Sequence, residues 1–226
     1  MATPGELVKA IAAATGTPEP TVTTHDRILV MAGLRSKGGR GTSAAKVTPR
    51  DAAHILVALL GSEHAQDSAE TVLRYSDTVE HHHWQSKSHP KDYKPLHGPV
   101  FGDLAENHSF LDALEKLIRM ATTDAFDEVI GREPLSCQVI VTWPHTQARI
   151  SLSPYTRGAD AWRGAQADYG RYTGYAGGRP AKKPIEKRGP IERSALMYAT
   201  PIRYVGALLG DRLDKVPLGP KLAGTW

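Results

Sequence analysis

The sequence of 226 residues predicts a mainly helical fold with a minor β component, an α+β class. In several segments a helix start signal is followed by apolar residues at helical spacing. One run, residues 135–143, is instead rich in β-forming residues, and a second such run follows a short turn. The length allows a small N-terminal domain over residues 1–61 and a larger domain over residues 62–226.

Three helices are expected in the N-terminal domain. Thr3, Pro4 and Glu6 form a capping box with proline in the first turn, and Gly16 is typical of a helix end. A second helix is expected from about Glu19 to the Gly33 region, and a third from Thr48 to Leu60, where Gly61 stops it.

The second helix and the segment after it contain the candidate binding residues. Short polar and basic side chains on the outward face of the helix can approach base edges, and they are Thr21, Thr23, Thr24, His25 and Arg27. The following segment has five basic residues and no acidic residue between Arg35 and Arg50. Its glycines permit close approach of the backbone to a phosphate. The candidate binding residues of this segment are Arg35, Lys37, Gly38, Gly39, Arg40, Lys46 and Arg50.

This order of helix, Gly-x-Pro turn, threonine-rich helix and basic glycine-rich hairpin resembles the winged helix-turn-helix family of bacterial or phage regulators. The resemblance covers about residues 4–61. It implies that Thr21 to Arg27 lie in the major groove of duplex DNA and that the hairpin from Arg35 to Lys46 is a wing on the adjacent backbone. Family members usually carry a further helix before the pair, and only a few residues precede Thr3 here, so residues 48–60 are expected to supply the third core helix.

Charge is unevenly distributed along the chain. Residues 1–61 have a net charge of +3, residues 62–134 of −7 and residues 135–226 of +8. Two basic ends favour a polyanionic partner. The alternative is that the segments neutralise each other within the fold or across a dimer. The sequence shows neither a membrane-spanning run nor an export signal, so a cytoplasmic, nucleoid-associated protein is expected.

In the middle of the chain, residues 62–78 predict a helix and residues 79–107 a histidine-rich irregular loop. This loop either binds a metal ion or is a solvated surface loop, and no metal site is predicted because no Cys or Glu stands at a zinc-like spacing. A strongly amphipathic helix is expected after Asn107 or Ser109. Its stripe, which includes Phe110, Leu114 and Leu117, belongs either to the core or to a dimer interface.

The last third of the chain predicts a β-hairpin, a basic aromatic arm over residues 154–190 and a helix near residues 192–209 that Pro201 kinks or restarts. The arm either stacks on nucleic-acid bases or wraps a neighbouring subunit. Cys137 is expected to be an inert, buried thiol.

The function predicted from the sequence is sequence-specific binding of double-stranded DNA by a homodimeric transcriptional regulator. The chain has no Gly-x-Ser-x-Gly or His-Glu-x-x-His motif, so neither catalysis nor a cofactor is expected. The alternative is a DNA-binding structural or packaging protein, such as the small subunit of a viral terminase. A metal-dependent nuclease acting through the histidine loop is a weaker third hypothesis. A regulator predicts a dimer on one palindromic site, and a packaging subunit predicts a ring with weak sequence preference.

Overall fold

A computed structural model describes residues 2–37, 46–81, 96, 101–131, 136–144, 146–152, 165–170 and 193–216. Within these residues the fold is mixed α and β, as predicted. The helices are α1 (Pro4–Thr15), α2 (Glu19–Met31), α3 (Pro49–Gly61), α4 (Ser68–Ser76), α5 (Phe110–Ala121), α6 (Ala125–Ile130) and α7 (Ala199–Leu209). The strands are β1 (Val79–His81), β2 (Cys137–Trp143), β3 (Gln147–Leu152), β4 (Ala165–Gly170) and β5 (Arg193–Tyr198). Single 3₁₀ turns lie at Ala65–Asp67 and Leu213–Lys215.

Reciprocal capping boxes begin three of the helices. Thr3 precedes α1, Thr48 precedes α3 and Ser109 precedes α5, and in each case the acid three residues later accepts from the cap backbone. Gly16 ends α1 with φ of 74°, the left-handed conformation that favours glycine. These three helix starts and the end of α1 confirm the predictions from the sequence.

The strands form one antiparallel sheet in the order β1-β4-β3-β2-β5. The predicted hairpin is confirmed as β2 and β3, in which Val139 pairs with Ile150. Alternate residues of β2, β3 and β4 are buried, among them Val139, Ile150 and Tyr169, whereas Arg149 on the other face is exposed. Helices therefore cover one face of the sheet.

Two predictions for the last third of the chain need correction. Residues 165–170, expected in an extended arm, form strand β4 between β1 and β3, and the buried Tyr169 belongs to the core. Residues 193–198, expected in the last helix, form the edge strand β5. The helix that follows starts at Ala199, so that Pro201 lies in its first turn, where proline is tolerated. The rest of the arm lies outside the described residues.

Helix α3 is the central helix. Every residue from Ala52 to Val57 is buried, and α3 packs on α2, α4, α5 and strands β2 and β5. α1 packs on α2 and α7. One continuous apolar cluster joins residues on both sides of residue 61. The division into domains at that residue stays a prediction.

The apolar stripe of α5 lies in this core. Phe110, Leu114 and Leu117 are fully buried by the chain's own residues. The stripe is thus not available as the dimer interface that was one interpretation of the sequence. None of the described helices is long and apolar enough to cross a membrane.

Candidate nucleic-acid interface

Helix α2 lies at the edge of the helical layer and leaves one face in solvent. Val22 and Leu29 are buried, and α2 packs on α1, α3 and α4. The exposed residues between Pro20 and the end of the helix are Pro20, Thr21, Thr24, Arg27 and Met31, which we call the outer face of α2. Four of the five follow the spacing i, i+4, i+7, i+11 of one helical stripe. Thr23 is half-buried, and its hydroxyl donates to the carbonyl of Glu19 at 2.8 Å.

His25 lies inside the molecule, which corrects its predicted position on the outward side. It is 6% exposed, and its Nδ1 lies 2.7 Å from Oγ of Ser68. The Ser68 hydroxyl donates to the carbonyl of Ala65, so its oxygen accepts from Nδ1–H of His25. Burial lowers the pKa of His25. This histidine is therefore a neutral link between α2 and α4.

Arg35 was predicted to contact phosphate but is 9% exposed and forms an ion pair with Asp26 of α2. Its Nη2 also donates to Asp26 Oδ2 at 3.1 Å. Burial raises the pKa of Asp26, and the guanidinium opposes that shift. The pair holds the segment after α2 against the helix, so Arg35 is a positioning residue here and not a free cation.

Residues 36–47, part of the connection between α2 and α3, are called the basic loop below. The carboxylate of Asp51, which is 3% exposed, joins Ser36 at the start of this loop to Thr48 just after its end. Oδ1 accepts from the backbone N–H of Ser36 at 2.9 Å, and Oδ2 accepts from the N–H and the hydroxyl of Thr48, both at 2.8 Å. Arg35 and Asp51 thus fix both ends of the loop beside α2.

A second group, His54 of α3, supports the start of the loop. Its Nδ1–H donates to the carbonyl of Leu34. Burial lowers the pKa of His54, and the hydrogen bond to Leu34 acts in the opposite direction. The positioning roles of Asp26, Asp51 and His54 were not predicted from the sequence. The only signal was Thr-x-x-Asp at residue 48, which predicts a helix cap and says nothing about Ser36.

Arg50, another predicted DNA contact, forms ion pairs with two acids of α5. Its Nη1 lies 2.8 Å from Asp112 Oδ1 and 3.3 Å from Glu115 Oε2. The two carboxylates neutralise its charge and join the start of α3 to α5.

The described cations fall into two groups according to their partners. From residue 50 onward, every lysine or arginine whose side chain is described forms an ion pair with a carboxylate. Before residue 50, Arg35 is paired, but the exposed Lys9, Arg27, Lys37 and Lys46 have no ion pair within the described part of the chain. Unneutralised positive charge therefore remains on α1, on the outer face of α2 and at both ends of the basic loop.

Several predicted features lie outside the described residues. They are Gly38, Gly39 and Arg40, most of the histidine-rich loop and the greater part of the basic aromatic arm. Lys37 and Lys46, the described residues next to the loop tip, are not in strands, and the hairpin between them stays a prediction. Among described residues, no cluster of three or more metal-ligating side chains occurs.

One buried polar cluster lies elsewhere, where β1 and β4 meet the start of α5. His108 Nδ1–H donates to the carbonyl of Ala105 at 2.8 Å, and Nε2 is hydrogen-bonded to the Tyr169 hydroxyl, also at 2.8 Å. Glu80 Oε2 lies 3.6 Å from the same Nδ1. Burial raises the pKa of Tyr169. All three side chains are buried, so the cluster stabilises the sheet edge and offers no surface to a ligand.

No family model matches the chain, and neither a curated protein nor a solved structure is significantly similar to it.

Proposed function

We propose that the protein binds duplex DNA through the outer face of α2 and the ends of the basic loop, and that it acts as a transcriptional regulator. The described residues of this interface are Thr21, Thr24, Arg27, Lys37 and Lys46. The predicted hairpin residues Gly38, Gly39 and Arg40 lie between the two lysines in the sequence.

The observation that supports this proposal best is the absence of ion pairs at Arg27, Lys37 and Lys46 within the described part of the chain. From residue 50 onward the cations with described side chains are paired, including Arg193, Arg203 and Arg212 of the basic C-terminal segment with acids of the middle segment. Cations without carboxylate partners are available for phosphates, and their binding releases condensed counterions from DNA. The Arg35–Asp26 ion pair and the hydrogen bond from Ser36 to Asp51 keep the start of the basic loop next to α2.

The test is the salt dependence of duplex binding by the full chain. Replacement of both Lys37 and Lys46 by alanine should weaken binding to all sequences. It should also make the negative slope of log K against log[salt] less steep, by about 0.9 for each lost phosphate contact. Fluorescence anisotropy with a random-sequence duplex at several salt concentrations measures both quantities.

A matched control removes two charges from the sheet instead. Arg149→Ala with Arg193→Ala takes away two exposed arginines that are paired with Asp168 and Glu63. This variant should keep the wild-type slope. No affinity of the wild type for duplex DNA in dilute buffer, or an unchanged slope in the lysine variant, contradicts the proposal.

The regulatory part of the proposal requires sequence preference and a defined assembly. Thr24→Ala and Arg27→Ala should change which genomic fragments are bound, because these side chains lie on the face expected in the major groove. Mass measurement in solution should give a dimer. A ring with weak sequence preference would favour DNA packaging instead.

A further inference from the structure

Met31, the last residue of α2, is the most exposed large hydrophobic residue in the described part of the chain. It is 81% exposed, and the next, Leu73 of α4, is 53% exposed. The fold gains little from an apolar side chain that it leaves in water. Met31 lies on the outer face of α2, so its apolar area belongs to the surface already proposed to meet DNA.

Three residues of that face differ in the contact they can make. Thr24 donates its hydroxyl hydrogen to the carbonyl of Pro20 at 2.9 Å, so the oxygen remains an acceptor. Arg27 is exposed and is a donor only. Met31 is apolar. At spacing i, i+3, i+7 they share one side of the helix and extend about 10 Å along its axis.

Base edges in the major groove offer a counterpart to each of these groups. Adenine and cytosine present amino donors, guanine presents the acceptors O6 and N7, and thymine presents the apolar C5-methyl group. An exposed methionine matches only the last of these. The absence of ion pairs at Arg27 and Lys37 supplies the charge complementarity that a DNA partner requires.

We propose that Met31 packs on the C5-methyl group of a thymine and makes the protein selective for thymine at one position of its site. This inference rests on the proposed function, because it assumes that the outer face of α2 lies in the major groove. It adds the identity of one base and the residue that selects it.

The experiment replaces thymine by deoxyuridine, which lacks only the C5-methyl group. Sequences bound by the full-length wild type are first selected from a random duplex pool. Each thymine of the selected site is then changed to deoxyuridine in turn, and binding is measured for the wild type, Met31→Ala, Met31→Leu and Leu73→Ala. The last variant removes an exposed apolar side chain from α4 and is the control.

At one position, deoxyuridine should weaken wild-type binding about fourfold, the factor expected for loss of one buried methyl group. Met31→Ala should bind the thymine site at least fourfold more weakly and should no longer distinguish thymine from deoxyuridine there. Met31→Leu and Leu73→Ala should still distinguish them. Since Met31 is so exposed, the alanine variant should keep the wild-type circular dichroism spectrum and melting curve.

The results that overturn the inference differ from those that overturn the proposed function. Tolerance of deoxyuridine at every position, or unchanged discrimination by Met31→Ala, rejects the role of Met31 while leaving DNA binding in place. A selected pool without a preferred sequence rejects both the role of Met31 and the regulatory part of the proposed function. Failure of the wild type to bind any duplex rejects both.

Discussion

At the scale of single residues, Asp51 is the side chain on which the base of the basic loop depends most. Its buried carboxylate accepts from both Ser36 and Thr48. Asp51→Asn weakens these charge-assisted bonds and introduces an amide donor among donors, so the free energy of unfolding should fall by about 2–4 kcal/mol. Urea denaturation measures the change. Asp103→Asn, which removes an exposed acid paired with Lys116, is the control and should have little effect.

His54 and His25 predict a pH dependence of stability. Burial lowers the pKa of each below the ordinary value of 6.5. Between that value and the lowered pKa, the unfolded chain binds more protons than the native protein, so acidification favours unfolding. The contribution of each histidine is complete above about pH 6.5 and declines as the pH falls toward the lowered pKa.

The measurement is the unfolding free energy from pH 8 to pH 5 for the wild type and for His54→Gln and His25→Gln. Each variant should lose less stability on acidification than the wild type does. The raised pKa of Asp26 gives an opposite slope at lower pH, but it is common to all these proteins and cancels in the comparison. His64→Gln, the same replacement at an exposed histidine, is the control for the exchange of side chain itself. Parallel curves for all variants would contradict the assignment.

The sequence predicted the exposure of some candidate site residues and missed the burial of others. Thr21, Thr24 and Arg27 are exposed as expected, whereas His25 and Arg35 face inward. Helical spacing alone does not distinguish the outward side of α2 from the side that meets α4. The partner of Arg35, Asp26, is nine residues away in the chain, and only the tertiary fold brings the two together. Buried ion pairs of this kind leave no local pattern in a sequence.

At the scale of elements, the crossing of α5 and α7 depends on a glycine. A Cβ atom added to Gly206 would lie 2.7 Å from the carbonyl carbon of Ala121, which is backbone and has no room to move. Gly206→Ala should therefore lower the unfolding free energy by about 1–3 kcal/mol or more. Gly5→Ala in α1 is the matched control, since nothing lies within 4 Å of its added Cβ. Alanine there should be neutral or stabilise the helix by up to about 1 kcal/mol in thermal and urea unfolding.

Helices were predicted better than strands because their start signals are local. Thr3, Thr48 and Ser109 each cap a helix through an acid three residues later, and all three starts are visible in the sequence. Strands β1, β4 and β5 were missed because their stability comes from distant partners. β1 lies at the start of residues 79–107, which were predicted to form an irregular loop, and it pairs with β4. Ala167 pairs with Ile150, and Met197 pairs with Val139. The short helix α6 has no side-chain cap and was not predicted.

At the scale of the whole molecule, the three segments of opposite charge neutralise each other only in part. Arg193, Arg203 and Arg212 of the basic C-terminal segment pair with Glu63, Asp127 and Asp124 of the acidic middle. This pattern agrees with the internal neutralisation weighed from the sequence. Four cations of the N-terminal region take no part in these ion pairs: Lys9, Arg27, Lys37 and Lys46. Among the described residues, unpaired positive charge therefore remains in the N-terminal region.

The packing of α3 predicts how far the N-terminal region depends on the remainder of the chain. Ile55 and Leu56 are fully buried in a helix that packs on α4, α5 and the sheet as well as on α2. In a fragment of residues 1–61, only α1 and α2 remain to pack on α3. Much of the apolar surface of α3 that α4, α5 and the sheet bury in the full chain would therefore be exposed to water. We expect the fragment to lack a cooperative thermal transition, whereas the full chain has one.

Two measurements compare the folding of the fragment with that of the full chain in the same buffer. They are amide proton dispersion in NMR spectra and thermal unfolding followed by circular dichroism. A fragment with native-like dispersion and a sharp transition would instead support a separable N-terminal domain at residue 61. If the fragment fails to fold, DNA affinity must be tested on the intact protein. The reason is that Asp51 and His54, which fix the base of the basic loop, are positioned by the same helix α3 that the sheet and α5 hold in place.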